Sequence, residues 1–106
     1  VLTSEAADRE ALDARVGIAL ESGCGGLVCA ASDLGSVRAL APRIITVVPG
    51  IRPTGVGVDD QARPSTPSAA VDAGADVLVI GRAVTRAADP IAAAIAIAAE
   101  VASAGT

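Results

Sequence analysis

A glycine–arginine pair at the end of a short apolar run is the feature of this sequence that most clearly suggests chemistry. Val77 to Ile80 has the composition of a buried strand, and Gly81-Arg82 follows it directly. Glycine allows a close backbone approach, the next amides point outward from a helix start, and arginine grips phosphate through paired hydrogen bonds. The pair therefore predicts a small-anion site. The alternative is a tight turn with a solvated arginine.

The remaining composition excludes several other kinds of site. The eight basic residues are all arginine, they are scattered, and the net charge is −4, so we expect no nucleic-acid partner. Cys24 and Cys29 have no histidine or second cysteine pair beside them. We expect two reduced, mostly packed thiols, no metal and no cofactor.

No stretch of the sequence predicts membrane insertion or export. The start, Val1 to Arg9, lacks the pattern of a secretory signal, and the most apolar window, Ile91 to Ala99, is shorter than the roughly 20 residues of a membrane span. We expect one soluble domain over residues 1–106, cytoplasmic if expressed in a cell and with no membrane partner.

Seven residue types are absent: Phe, Trp, Tyr, Met, His, Lys and Asn. Their joint loss by chance is very improbable in a chain of 106 residues. We interpret the sequence as a deliberate simplification of a natural-like parent with a larger alphabet.

Strand and helix patterns alternate along the chain, which predicts parallel βα units. Expected strands are Val1–Thr3, Leu27–Ala30, Ile44–Val48 (β-branched, covered on both faces) and Val77–Ile80. The first expected helix runs from about Asp8 to Ser22, with Leu12, Val16, Ala19 and Leu20 on one face, and ends at Gly23. The second runs from a Ser32 cap to about Leu40, before Pro42. Two more are expected from Thr66-Pro67 to Gly74 and from Asp89-Pro90 to about Ala102, with a short helical turn at Gly81-Arg82 between them.

Four such units form a parallel (βα)4 half of a TIM-type (βα)8 barrel, the predicted fold. Function in such barrels lies at the carboxyl ends of the strands. The segments to inspect are therefore Thr3-Ser4, Ala30 to Asp33, Pro49 to Arg63, and Gly81-Arg82.

Several motifs together resemble the orotidine 5′-phosphate decarboxylase family, specifically the C-terminal half of its barrel. The match runs from about residue 1 to 100. Its motifs are Val1-Leu2-Thr3-Ser4, Leu27-Val28-Cys29-Ala30-Ala31, Pro49-Gly50-Ile51-Arg52-Pro53, Asp59-Asp60-Gln61-Ala62-Arg63, Thr66-Pro67 and Gly74-Ala75-Asp76-Val77-Leu78-Val79-Ile80-Gly81-Arg82.

The resemblance implies roles for five residues. Gln61, the only glutamine, lies in the long loop Ile51–Ser65 and would bridge phosphate and base, for which an amide has both donor and acceptor. Arg52 would contact the nucleotide, Gly81 and Arg82 would bind phosphate, and Thr3 would lie near the pyrimidine. An exposed loop is the alternative for Gln61 and Arg52.

The same resemblance implies that the catalytic array is missing. That family decarboxylates with alternating lysine and aspartate residues on its first three strands, whereas this chain is expected to begin after them and contains no lysine. Asp59 and Asp60 are interpreted as loop-fixing. No catalytic residue is predicted, and we expect the chain alone to be inactive.

Three hypotheses remain. The chain is a simplified half-barrel with residual affinity for phosphate or a UMP-like ligand, or a split-enzyme half that needs an N-terminal partner, or a stand-alone phosphate-binding module. The missing residue types favour the first. Because a half-barrel has open strand edges, we also expect a homodimer.

Overall fold

A computed structural model describes residues 4–53 and 65–104, and the side chains from residue 9 onward. The elements are α1 (Ser4–Glu21), β1 (Gly26–Val28), a 3-10 turn (Ala31–Asp33), α2 (Leu34–Leu40), β2 (Ile45–Val48), α3 (Pro67–Asp72), β3 (Val77–Leu78), α4 (Arg82–Thr85) and α5 (Pro90–Ser103). The predicted strand Val1–Thr3 lies outside the described residues.

The described strands form one parallel sheet in the order β1-β2-β3. Leu27 of β1 lies beside Thr46 of β2, and Val48 of β2 lies beside Leu78 of β3. The prediction of parallel βα units is confirmed for these three strands. The fourth unit stays a prediction.

The core lies between one face of the sheet and the helices. Its buried residues are Val16, Cys29, Leu34, Val37, Ala41, Ile44, Val48, Ile51 and Ala70, with Leu12, Ala19, Leu27, Leu78 and Ile80 packed against them. Three of the four apolar positions predicted for α1 therefore face the core. Leu20 does not, because it lies in the last turn and is exposed.

Two helix caps follow the sequence prediction. The Thr66 hydroxyl accepts a hydrogen bond from the N–H of Ala69 (3.2 Å) at the start of α3, and the Asp89 carboxylate accepts one from the N–H of Ala92 (3.1 Å) at the start of α5. Gly23 and Gly74 end the preceding helical segments at φ of +81° and +111°, a conformation that favours glycine.

Two local predictions are wrong. Ser32 does not cap α2, because it lies inside the 3-10 turn and the helix starts at Leu34 without a side-chain cap. Helix α1 starts at Ser4, four residues before the predicted start. The stretch from Ser4 to Asp8 lacks apolar periodicity, but it contains two alanines and a glutamate, which favour a helix, and no glycine or proline that would break one.

The prediction that the strand beginning near Ile44 is covered on both faces is also wrong. Thr46 and Val48 are fully buried against the helices, whereas Ile45 on the opposite face is 51% exposed. The physical reason is that all described helices that contribute to the core lie on one side of the sheet.

Candidate functional site

The carboxyl ends of β2 and β3 border one cavity of about 200 Å³. Its lining comes from two segments far apart in sequence: Pro49, Gly50, Ile51 and Arg52 after β2, and Val79, Gly81, Arg82 and Ala83 around the end of β3. The parallel strands meet at this edge, so the fold brings Arg52, Gly81 and Arg82 together, as the sequence analysis expected.

The backbone at Arg52 is fixed by hydrogen bonds to the far end of the long loop. Gly50 takes φ of +74°, which turns the chain after Pro49. The N–H of Arg52 donates to the carbonyl of Ser65 (2.7 Å), and the N–H of Ser65 donates to the carbonyl of Gly50 (3.0 Å). The two ends of the long loop are thereby pinned to each other. Arg52 itself is only 8% exposed, so the alternative of an exposed loop arginine does not apply to it.

Gly81 and Arg82 begin the short helix α4, as predicted. The carbonyl of Gly81 accepts from the N–H groups of Val84 and Thr85, both at 3.0 Å. Because α4 has only four residues, its dipole adds little to anion binding. For an anion in this cavity, the arginine side chains and the glycine backbone would therefore be the main binding groups.

Two of the five predicted site residues cannot be placed. Thr3 and Gln61 lie outside the described residues, as do Asp59 and Asp60. The roles suggested for them by the resemblance stay predictions.

A polar network at the opposite ends of the strands was missed by the sequence analysis. The Arg38 guanidinium donates to the carbonyls of Gly74 and Ile44 (2.6 Å each) and pairs with the Asp76 carboxylate. Thr46, fully buried, lies between Arg38 and Asp76. Since the amino ends of barrel strands serve stability, this network is structural. In the sequence, the one feature that points to this network is the acidic residue Asp76 directly before the strand that begins at Val77.

The network lowers the pKa of Asp76. The hydrogen bond from the backbone N–H of Thr46 (2.9 Å) has the largest effect, followed by the Arg38 guanidinium. Both favour the charged carboxylate.

A second missed contact links α5 to α3. The Glu100 carboxylate accepts from the backbone N–H of Ser68 (2.9 Å) in the first turn of α3. That turn begins directly after Ser65 and Thr66, so Glu100 supports the segment that also pins Arg52.

The cysteines behave differently from each other. Both are free thiols, Cys29 buried and Cys24 exposed, so the expectation of packed thiols is wrong for Cys24, which lies in the exposed turn after α1. Burial raises the pKa of the Cys29 thiol, and Asp33 adds to the rise. Across residues 4–53 and 65–104, no cluster of three or more His, Cys, Asp or Glu residues has the arrangement of a metal site. None of the helices in those ranges is long and apolar enough to cross a bilayer.

The parallel sheet, with a cavity bordered by two arginines at the carboxyl ends of its strands, defines an α/β protein built of parallel βα units. The Orotidine 5'-phosphate decarboxylase / HUMPS family matches residues 2–97. The chain therefore belongs to this family, as the motifs predicted.

Individual relatives agree. The chain is 48% identical over 98 residues to orotidine 5′-phosphate decarboxylase of Thermobifida fusca (strain YX), covering 92% of this chain and 42% of that protein. It is 51% identical over 88 residues to that of Gluconobacter oxydans (strain 621H), covering 82% and 37%. The chain thus spans about two fifths of the length of these curated relatives.

Solved structures show the same fold. The crystal structure of orotidine 5′-phosphate decarboxylase from Lactobacillus acidophilus superposes with a TM-score of 0.72 at 30% identity, covering 88% of this chain and 37% of that one. The enzyme from Pyrococcus horikoshii OT3 gives 0.71 at 27% identity, covering 94% and 47%.

Proposed function

We propose that this chain is the phosphate-binding half of an orotidine 5′-phosphate decarboxylase barrel and binds the phosphate of a pyrimidine nucleotide. The observation that carries the proposal is the convergence of Arg52, Gly81 and Arg82 on one cavity. These residues come from segments about thirty positions apart.

The size of the cavity fits a phosphate group better than a whole nucleotide. A water molecule takes up about 30 Å³ in the liquid, so a volume of about 200 Å³ admits a phosphate with some hydration. Drug-sized ligands need roughly 300–1,000 Å³. The ribose and base would therefore lie outside the cavity, over the sheet near Val79.

The charge of the site also supports an anionic ligand. Two arginines border the cavity in a chain whose net charge is −4. Arg52 is buried, and a guanidinium removed from water interacts more strongly with phosphate than a solvated one. By the family resemblance, Gln61 would bridge phosphate and base, and Thr3 would lie near the pyrimidine.

Titration with inorganic phosphate and with uridine 5′-phosphate, followed by NMR or calorimetry, tests the proposal. We expect millimolar dissociation constants, about −4 kcal/mol. Arg82→Ala and Arg52→Ala should each weaken binding about tenfold or more, since hydrogen bonds to charged groups contribute about 1.5–3 kcal/mol.

Arg43→Ala is the matched control. It removes the same charge from an exposed position just before β2, at the opposite end of the sheet. Its binding should equal that of the parent. The proposal is wrong if Arg82→Ala also titrates like the parent.

A second candidate function is a decarboxylase half that works only with an N-terminal partner. It is favoured by the exposed sheet face around Ile45, where further barrel strands would pack. Because the 106 residues include no lysine, the proton donor implied by the family resemblance would come from that partner. Mixing the chain with a separately made N-terminal half and assaying turnover distinguishes this candidate from the first.

A further inference from the structure

A cavity of about 440 Å³ lies at the amino ends of β1 and β2, between the last turns of α1 and α2. It is here called the α1–α2 cavity, and its lining includes Leu20, Cys24, Leu40, Ala41, Arg43 and Ile44. The two helices belong to consecutive βα units and contact each other. The cavity therefore lies between two neighbours within this chain, and not at an edge where further barrel strands would be added.

Most of the lining is apolar. Ala41 and Ile44 are buried members of the core, whereas Leu20 and Leu40 are 47% and 44% exposed. Small-molecule sites are concave, largely apolar and roughly 300–1,000 Å³ in volume. The α1–α2 cavity falls near the lower end of that range, which favours a short ligand with a hydrocarbon body.

Arg43 alone is charged among the described residues that line the cavity. It is exposed, and its guanidinium has no ion-pair or hydrogen-bond partner within residues 4–53 and 65–104. A guanidinium binds a carboxylate through two parallel hydrogen bonds. An unpaired guanidinium beside an apolar lining is complementary to an organic acid with an aliphatic chain.

The backbone around the cavity is already hydrogen-bonded. The N–H of Cys24 donates to the carbonyl of Ala19 (3.0 Å). The Arg38 guanidinium donates to the carbonyls of Pro42 (3.3 Å) and Ile44 (2.6 Å). Carbonyls that accept such bonds repel an anion less than free carbonyls at a helix end would. The site is therefore formed without a ligand, and Arg43 supplies the full charge that a ligand would meet.

We propose that the α1–α2 cavity binds a short aliphatic carboxylic acid, with its hydrocarbon chain against Leu20 and Leu40 and its carboxylate on Arg43. The cavity lies at the opposite end of the strands from the one that contains Arg52 and Arg82, so this inference does not depend on phosphate binding. Inorganic phosphate has charge but no apolar body and should not occupy the α1–α2 cavity.

Alkylation of Cys24 by iodoacetamide tests the proposal, because this thiol is free, exposed and part of the lining. Mass spectrometry of the full 106-residue chain gives the rate, which should fall severalfold at saturating octanoate. Cys29, free but buried, is the internal reference, and its slow alkylation should not change. Acetate, which has the charge without the chain, and 1-octanol, which has the chain without the charge, should each protect Cys24 much less than octanoate at equal concentration.

Substitutions of Arg43 test the head-group contact. Arg43→Ala should weaken octanoate binding about two- to fivefold, as expected for an exposed ion pair, whereas Arg43→Lys should retain most of it. Arg15→Ala is the matched control, because it removes the same charge from an exposed position on α1 that does not line the cavity. Its octanoate binding should equal that of the parent.

Three results would overturn the inference: a Cys24 rate that octanoate leaves unchanged, protection by acetate equal to that by octanoate, or a folded Arg43→Ala variant that binds octanoate like the parent. Faster alkylation of Cys29 on adding octanoate would mean that the acid unfolds the chain, which also contradicts a defined site. If Arg43→Ala itself unfolds, fast alkylation of its Cys29 reveals this, and the comparison of octanoate, acetate and 1-octanol on the unmodified chain decides.

Discussion

Thr46 and Asp76 are joined by two reciprocal hydrogen bonds, each from the backbone N–H of one residue to the side chain of the other. The backbone N–H of Thr46 donates to the Asp76 carboxylate (2.9 Å), and the backbone N–H of Asp76 donates to the Thr46 hydroxyl (3.1 Å). The two residues lie at the amino ends of the neighbouring strands β2 and β3. This pair therefore fixes the register on which the cavity at the other end of the strands depends.

Replacing Thr46 with valine should destabilise the fold. The hydroxyl accepts from Arg38 (3.0 Å) and lies 3.1 Å from the carbonyl oxygen of Gly74, so Thr46→Val leaves several polar groups short of a partner while keeping the shape. We expect a loss of about 1–3 kcal/mol in the free energy of unfolding, measured by urea denaturation. Thr85→Val, at an exposed position in α4, should stay within about 0.5 kcal/mol of the parent. Equal losses in both variants would contradict a special role of Thr46.

The lowered pKa of Asp76 predicts an acid-dependent stability. A carboxylate whose pKa falls on folding stabilises the protein above its unfolded pKa, near the usual 3.8, and this contribution disappears as the pH falls through the folded pKa. Asp76→Asn should therefore be less stable than the parent near neutral pH, and the difference should shrink in acid. Unfolding free energies at several pH values test this. Asp13→Asn, at an exposed site on α1, should show no comparable trend.

Sequence reasoning was most successful where a local pattern determines structure. The apolar runs gave the three described strands, and Thr66-Pro67 and Asp89-Pro90 gave two helix starts because the capping groups are within three residues of the amides that they bind. Ser32 failed because the competing 3-10 turn is set by packing of Leu34 rather than by capping.

The cavity could be anticipated only in part. Arg82 was predicted from the glycine–arginine pair that follows a strand, and Arg52 from the family resemblance. Both lie at one edge of the sheet because the carboxyl ends of neighbouring parallel strands meet there. The support given by Glu100 to Ser68 joins residues 32 positions apart, and no local pattern encodes it. The interpretation as a simplified alphabet rests on composition alone and stays a prediction.

Removing the Glu100 carboxylate should affect both stability and phosphate binding. Glu100→Ala leaves the N–H of Ser68 without its acceptor at the start of α3, a loss of about 1 kcal/mol. Because Ser65, three residues earlier, binds the backbone of Arg52, phosphate affinity should also fall. Glu100→Gln keeps an acceptor oxygen and should restore most of both properties.

Glu21→Ala is the control for this experiment, since it removes an exposed carboxylate at the end of α1. Denaturation and phosphate titration of the three variants provide the comparison. If Glu100→Ala lowers stability but leaves phosphate affinity unchanged, Glu100 supports α3 without positioning Arg52.

The purified chain should show no decarboxylation of orotidine 5′-phosphate. It contains no lysine, and preorganised charges of the kind implied by the family resemblance supply a large share of catalysis. Carbon dioxide release is the assay, with an Arg82→Ala preparation made in parallel. Turnover that is present in the parent and lost in Arg82→Ala would refute this prediction, whereas equal turnover in both preparations would indicate a contaminating enzyme.

Filling the groove beneath α5 should stabilise the protein. A groove of about 510 Å³ runs between α5 and the β3 side of the sheet, lined by Leu78, Ile80, Ile97, Ala98 and several further apolar residues. Without aromatic side chains, small alanines on α5 leave this space unfilled. Ala98→Leu adds apolar volume there, and we expect a gain of about 0.5–2 kcal/mol in the free energy of unfolding.

Ala96→Leu separates filling of the groove from helix propensity. Ala96 lies on the same helix and is exposed, but it does not line the groove. Both substitutions carry the same small propensity cost, so the difference between their unfolding free energies measures packing against Leu78 and Ile80. A difference near zero would mean that α5 shifts rather than closes over the larger side chain, and the groove would then be a flexible feature of the α5 packing rather than a fixed cavity.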